Sequence, residues 1–496
     1  MARPGDPGSR AGYVRACVNR GRRRVSLDPV DAVGAGAALV TDLYELSMAA
    51  SYLRRGMVEP ATFSLFVRRL PEHSGFLVAA GLEDCLSYLE SFAFARDELD
   101  WLAQAGLPAE TVQQLGDLRF TGDVEAVPEG RVVLANEPLV EVTAPIAQAQ
   151  LVETVLLNQI TYQTALATKA ARCRLAAGPV ELVDFSLRRT HGIEAGMAAA
   201  RVSAMAGFAA TSNVAAARRF GLVASVTMAH SYVEAFQSEE EAFVAFAEDH
   251  PGPVTFLVDT YDTLSGVDAA IRAIRRLGLA EGIAVRLDSG DLAGLARQTR
   301  HRLDAAGLPQ VRIFVSGGLD EHDLERFRSE DAPIDAAGVG TRFGVSFDAP
   351  SLDSAYKLVA YGGRAVCKLS EGKATLPGPK QVWRRGFAEP DLLATRDEPG
   401  PPGAEPLLVP VMRSGRRTGH PATIAAARRR LELDLGALPA PAILLDEPTA
   451  PEPVLSERLQ ALLEVVAARL EPVQAGGGTG RAGDRGSRQP GAGVAG

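Results

Sequence analysis

Cysteine, aromatic residues and positive charge are all scarce in this chain. Its four cysteines, Cys17, Cys85, Cys173 and Cys367, lie far apart and form no CxxC pair. That excludes a zinc-ribbon site or a disulfide framework and fits a reducing cytoplasm, where the chain is expected to reside. Lys and Arg number 52 against 61 Asp and Glu, a formal charge of -9. A nucleic-acid partner is therefore not expected, because no basic excess is present to replace phosphate counterions. No apolar run approaches the roughly 18 residues that span a bilayer, so no membrane partner is expected either. The Arg- and Gly-rich start lacks the apolar core of a secretory signal. Residues 1–35 are expected to be a disordered extension. An organelle-targeting peptide would share that composition, but no amphipathic pattern is clear before Ala35.

What the chain has is length and apolar content. With 496 residues and 46% hydrophobic composition it can bury a large core, and two domains flanked by tails are expected. Between Val180 and Val339, the apolar runs ELVDF, LVASVTMAH, VTFLVDT, IAVRLDSGD, VRIFVSGG and IDAAGVGT alternate with helix-length segments such as Leu292 to Ala306. Continuous apolar runs suit parallel strands covered by helices. Each run ends in a residue able to bind or react: Asp184, His230, Asp259, Asp288, Ser316 or Gly340. Strand C-termini carry the site in α/β folds, so the pattern predicts an α/β barrel over 151–350 with one shared pocket. The flanks read differently. FSLFVRRL, helical Leu82 to Phe92, Arg131 to Val142 and the Pro- and Gly-punctuated strands from about 355 to 412 predict an α+β domain built from 36–150 and 351–445. Leu151 to Arg174 reads as a joining helix with Lys169 and Arg172 on one face. Residues 446–472 read as a C-terminal helical segment, and 473–496 as a disordered tail.

Gly317-Gly318 after VRIFVS lets the backbone approach a ligand, and Asp320 can cap the following helix, whose free amides would suit phosphate. Gly338-Val339-Gly340-Thr341 offers a second such turn. Either alone could be an ordinary tight turn; together, at the last barrel strands, they match the phosphate position of the fold. Arg286-Leu287-Asp288-Ser289-Gly290-Asp291 sets a cation and two carboxylates at one strand end. Asp288 suits sugar hydroxyls and Arg286 an anionic group, whereas Asp291 could equally cap the next helix. Phe185 with Arg188 and Arg189 offers a ring face and guanidinium groups for a planar carboxylate. A lone His is more often structural, but the place of His230 among these strand ends favours a role.

These residues, in this order, resemble the nicotinate phosphoribosyltransferase family. The resemblance runs from Thr41-Asp42-Leu43-Tyr44 to Gly378-Pro379-Lys380-Gln381-Val382. It is most specific in TDLYELSMA, FVRRLP, Thr211-Ser212-Asn213, Thr227-Met228-Ala229-His230-Ser231, VRLDSGDL and KLSEGKATLPGPKQV. It implies an irregular α/β barrel of the type II phosphoribosyltransferase kind plus an α+β domain. It also implies a reaction in NAD biosynthesis: the pyridine nitrogen of nicotinate attacks the anomeric carbon of phosphoribosyl pyrophosphate and pyrophosphate leaves. Mg²⁺, held largely by substrate oxygens and water rather than by a dedicated protein site, is implied. So is ATP as co-substrate, phosphorylating His230 in an ATP-coupled, ligase-type reaction. By resemblance, Tyr44 and Phe185 sandwich the ring, Arg188 meets its carboxylate, and Arg286 and Asp288 lie near the ribose. Gly317, Gly318, Gly340 and Thr341 hold the 5′-phosphate, and Arg68, Lys373 and Lys380 are anion contacts. A homodimer with composite sites is implied, Tyr44 and the Lys-bearing segment reaching across. Ser212 stands where nicotinamide-using relatives carry Asp, and a neutral Ser tolerates a carboxylate. The chain departs from the family at Val226, Ser186 and Ala210, where Gly is usual. Competing readings are nicotinamide or quinolinate as acceptor, a non-catalytic sensor of phosphoribosyl ligands, and an unrelated phosphate-binding barrel. Intact His230, Asp288 and arginines oppose the sensor, and the flank motifs oppose the unrelated barrel.

Overall fold

The computed structural model describes residues 37–475, apart from Val226, Pro251, Ala280, Glu371 and Gly372. The expected extension 1–35 lies outside the described residues, as does the expected tail 473–496 from 476 onward; residues 473–475 instead belong to the helix Glu457–Ala475.

Six parallel strands form a curled, open sheet: β1 (Glu181–Asp184), β2 (Ala210–Thr211), β3 (Val254–Leu257), β4 (Ile283–Leu287), β5 (Arg312–Val315) and β6 (Ala336–Val339). Their order in space is β2-β1-β6-β5-β4-β3. Side chains alternate between the two faces of a strand. Leu182, Phe256, Val285, Leu287, Ile313, Val315, Ala337 and Val339 point outward and are fully buried under the covering helices. The helix Thr263–Leu277 shows why they fit: Val267, Ala270, Ile271 and Ile274 recur at helical spacing on its buried side. Asp262 caps its first turn by accepting the Ser265 N–H at 2.9 Å, and Gly278 ends it in the left-handed conformation. The concave face carries Val183, Ala210, Phe314 and Ala336.

Five of the six expected strands form. The exception is LVASVTMAH, where among the described residues only Ala224 bridges to Thr211 and His230 begins the short helix His230–Glu234. The run is apolar, but Val223 is exposed and Met228 is the residue that enters the core, so it lacks the two-sided burial that a parallel strand needs. Among the described residues the sheet therefore stays open between β2 and β3.

The flanks share one antiparallel sheet of seven strands, ordered Arg364–Ala365, Ser354–Tyr361, Pro60–Val67, Pro138–Pro145, Asp123–Ala126, Val409–Arg413 and Arg416–Arg417. Pro60–Val67 pairs with a strand from each flank, so segments on both sides of the barrel complete it. The helix Glu153–Ala177 then joins two cores. Val155, Leu156 and Ile160 pack with the flank, while Leu166, Ala170 and Cys173 pack with the barrel. Lys169 and Arg172 do share a face: Lys169 Nζ lies 2.8 Å from Glu321 and 2.6 Å from Asp348, and Arg172 Nη2 lies 3.0 Å from Glu321. Toward the C-terminus, Val454–Leu455 pairs in parallel with Leu392–Thr395 and leads into the helix Glu457–Ala475. Among the described residues, no helix is long and apolar enough to cross a membrane.

Candidate active site

Because every neighbouring pair in the open sheet is parallel, all six strand C-termini lie along one edge. The residues at or just beyond them are Phe185, Ser212, Asp259, Asp288, Ser316 and Gly340. At the centre, Arg286 donates from Nη2 to Asp288 Oδ1 and from Nε to Ser316 Oγ, each at 2.7 Å. Ser316 Oγ in turn donates to the same Asp288 oxygen. Burial pushes the Asp288 carboxyl up, but the Arg286 guanidinium and the Ser316 hydroxyl outweigh it and hold it below the usual carboxylate range. The other oxygen of Asp288 faces His230 Nε2 at 3.9 Å, too long for a hydrogen bond. His230 Nδ1 lies 3.2 Å from Thr260 Oγ1, and its side chain is 41% exposed, open to a reactant.

Asp259, expected from sequence only as one of the strand-end residues of a shared pocket, joins this group. Its Oδ2 accepts the Asp288 N–H at 2.9 Å and the Ser289 hydroxyl at 2.8 Å, while its buried Oδ1 has no partner among the described residues. An unpartnered carboxylate oxygen beside a second carboxylate suits a hard cation. Among the described residues no set of three or more ligating side chains could hold one unaided, so such an ion would need oxygens from the substrate or water.

Beside the charged group stands an aromatic platform. The Arg286 guanidinium lies 5.2 Å from the Phe185 ring centre, and Phe314 lies 5.6 Å away on a tilted plane. Gly338 makes the room: a Cβ there would stand 2.7 Å from the Phe185 ring. Expected as part of a phosphate turn, Gly338 instead lies within β6 and serves the aromatic residue. Arg188 and Arg189 are exposed in the turn Leu187–Arg189 and make no ion pair among the described residues. Ser212 is exposed, with its N–H donated to the Asp184 carbonyl at 2.8 Å. The Asp184 carboxylate is fully buried, and burial pushes its pKa up. Ser186, where the resemblance led to the expectation of Gly, is buried and donates its hydroxyl to that carboxylate. Ala210 packs into the concave-face cluster, and Val226 lies outside the described residues.

The two glycine turns differ. Gly317 has φ 117° and its Cα passes so close to the Asp288 carbonyl that a Cβ would stand 2.2 Å from the oxygen. Gly318 has φ 73° with open space around it. Asp320 caps the helix Glu321–Ser329, accepting from the His322 and Asp323 amides at 3.1 and 3.3 Å. Gly340 precedes the single turn Thr341–Gly344, whose first residue is exposed. Asp291 takes its capping alternative, on the Gly294 N–H at 3.3 Å.

Four expected residues stand apart. Tyr44 is half exposed on the helix Leu43–Arg54; burial, then Glu153 and Glu45, push its hydroxyl pKa up, and no aromatic pair joins it to Phe185 among the described residues. Arg68 Nη1 pairs with Asp353 at 3.0 Å. Lys373 is exposed. Lys380 is buried, with Nζ 3.2 Å from Glu141 and 2.7 Å from the Gly378 carbonyl, so its ammonium is already engaged inside the flank.

An open α/β barrel with polar strand ends, helices outside and a composite flanking sheet defines the type II phosphoribosyltransferase class. Residues 39–161 match the family model described as the nicotinate phosphoribosyltransferase N-terminal domain, and 166–352 the one described as the quinolinate phosphoribosyl transferase C-terminal domain. The chain is 49% identical to the nicotinate phosphoribosyltransferase pncB2 of Mycobacterium tuberculosis, over 81% of this chain and 88% of that protein. It is 33% identical to the Homo sapiens nicotinate phosphoribosyltransferase, over 90% of this chain and 99% of the relative. The crystal structure of human nicotinic acid phosphoribosyltransferase superposes with a TM-score of 0.76 at 31% identity, over 86% of this chain and 99% of that one. A nicotinate-nucleotide pyrophosphorylase from Pyrococcus furiosus shares the fold, with a TM-score of 0.68 at 24% identity over 84% and 99% of the two chains. The chain belongs to the nicotinate phosphoribosyltransferase family.

Proposed function

We propose that the protein joins nicotinate to phosphoribosyl pyrophosphate, giving nicotinate mononucleotide and pyrophosphate as a step in NAD biosynthesis. The observation that carries this is the cluster of Arg286, Asp288, Ser316 and His230 against the Phe185 ring at one sheet edge. Phe185 offers a flat face to the pyridine ring, and Arg188, which makes no ion pair among the described residues, meets its carboxylate. Arg286 and Asp288 orient the ribose so that the ring nitrogen approaches the anomeric carbon opposite the departing pyrophosphate. Amides of the Gly317-Gly318 turn and of Gly340-Thr341 bind the 5′-phosphate. Mg²⁺, when bound, neutralises charge on the pyrophosphate, and Asp259 Oδ1 with Asp288 would hold it alongside substrate oxygens.

His230 is the group we assign to ATP. Its exposed imidazole is oriented by Thr260 and faces the Asp288 carboxylate, an arrangement that suits a transient phosphohistidine. The separation of half-exposed Tyr44 from Phe185 supports a homodimer in which Tyr44 completes the partner's site.

Incubation with nicotinate, phosphoribosyl pyrophosphate, Mg²⁺ and ATP should yield nicotinate mononucleotide, and no product would overturn the reading. Acid-labile, base-stable phosphate should appear on the protein after ATP exposure and vanish in His230→Ala. That variant should keep some synthesis uncoupled from ATP, and unchanged coupling would remove His230 from the mechanism.

A further inference from the structure

We infer that Asp184 is a positioning residue that locks the two strand ends framing the nicotinate seat into one unit, an inference that rests on the function proposed above. Its carboxylate reaches both ends at once. Oδ1 accepts the Ser186 N–H at 2.8 Å and the Ser186 hydroxyl at 2.6 Å, which fixes the turn carrying Phe185 and Arg188. Oδ2 accepts the Thr211 hydroxyl at 2.7 Å. Thr211 Oγ1 in turn accepts the Asn213 N–H at 3.0 Å, and the Asp184 carbonyl accepts the Ser212 N–H at 2.8 Å, which fixes the turn carrying Ser212.

The carboxylate is fully buried, and the groups that hold it are the neutral donors of Ser186 and Thr211. Burying a charge without a paired cation is costly, so its presence calls for a role that a neutral side chain could not fill. The donors identify that role, because every partner of the side chain is a donor and they come from two different strand ends. Asparagine would offer a single acceptor oxygen, and its amide nitrogen could hold the other end only if the Thr211 hydroxyl turned from donor to acceptor, which weakens the lock at that end. Ser186 supplies two of the donors, from its N–H and its hydroxyl. Its side chain fits because Gly344 faces it: a Cβ on Gly344 would lie 2.6 Å from the Ser186 Cβ. The Ser186 hydroxyl thus adds a third donor to the lock.

The test is steady-state kinetics and thermal melting of the full chain and of three variants. Thr211→Val keeps the side-chain shape and removes the hydroxyl, Thr211→Ser restores it, and Asp184→Asn weakens one end of the lock. Thr211→Val should raise KM for nicotinate about tenfold while KM for phosphoribosyl pyrophosphate stays within about twofold, because only the nicotinate seat is loosened. Thr211→Ser should return KM toward wild type, and Asp184→Asn should show the same split. A purely structural role would instead lower the melting temperature and the active fraction with KM for nicotinate unmoved. That result, or an equal rise in both KM values, overturns the inference while leaving the proposed function standing. Should Asp184→Asn fail to fold, the Thr211 pair decides alone. Absence of nicotinate turnover in the wild type would overturn both.

Discussion

Ser316 holds the charge of the site in balance, taking a hydrogen bond from Arg286 Nε and giving one to Asp288. Both partners are needed in fixed orientation if they grip a ribose, and Arg286 is only 7% exposed. Removing the hydroxyl strands a buried guanidinium N–H, at a cost of about 1–3 kcal/mol. Ser316→Ala should therefore lower kcat/KM for phosphoribosyl pyrophosphate about ten- to hundredfold, with a smaller change in KM for nicotinate. Steady-state kinetics with each substrate varied in turn checks this, and equal effects on both would mean Ser316 orients the site as a whole. Residue type and strand-end position pointed to Arg286 and Asp288 from sequence. They did not show that Ser316 joins the two, nor that Asp259 keeps one oxygen without a partner among the described residues. Those facts depend on the register of β4 beside β5 and β3, which no local pattern encodes. Lys380 shows the reverse case: its motif was legible, but its enclosure by Glu141 depends on the strand Pro138–Pro145, far away in sequence.

Among elements, the turn after β5 separates two glycines that sequence treats alike. Gly317 combines a left-handed φ with a backbone passing the Asp288 carbonyl, whereas Gly318 needs the left-handed φ alone. Gly318→Ala should cost about 1 kcal/mol of stability and leave most activity intact. Gly317→Ala must push β5 away from Asp288 and should lose activity at least about tenfold further. Chemical denaturation and turnover of the two variants, side by side, decide it; equal losses would mean the close approach to Asp288 is unimportant. Strands buried on both faces were legible because their apolar runs are continuous. The run before His230 misled for the same reason, since a half-exposed mouth segment can carry Val and Met without belonging to a sheet. β2 was missed because two residues give no periodicity to read.

At the scale of the whole molecule, barrel and flank are coupled through shared elements rather than a linker. The helix Glu153–Ala177 belongs to both cores, and Ala427 and Leu431 of the helix Ile424–Ala437 enter the barrel core from beyond the flank sheet. The sequence showed that both flanks contribute, because their strand patterns bracket the barrel, but strand order in a sheet is set by pairing over hundreds of residues. One buried ion cluster sits at the junction. Lys169 and Arg172 meet Glu321 from the barrel and Asp348 from the segment that leads into the flank strand Ser354–Tyr361. Burial pushes the Asp348 carboxyl up, but Lys169 and then Arg172 outweigh it and lower its pKa from 3.8 to about 2. Its folded pKa lies below its unfolded one, so between those values the unfolded chain binds more protons and stability rises with pH. The contribution is complete above the unfolded pKa and is lost as pH falls through about 2. Because Asp348 is partly exposed, solvent screening reduces it, and roughly 0.5–1 kcal/mol should disappear between pH 5 and pH 3. Urea unfolding of wild type and Asp348→Asn at those two pH values isolates this share from that of other carboxylates. The wild type should lose that much more than the variant, and the variant should already be weaker at pH 5, since two buried cations then share Glu321. Parallel losses in the two proteins would show that the cluster does not hold the junction.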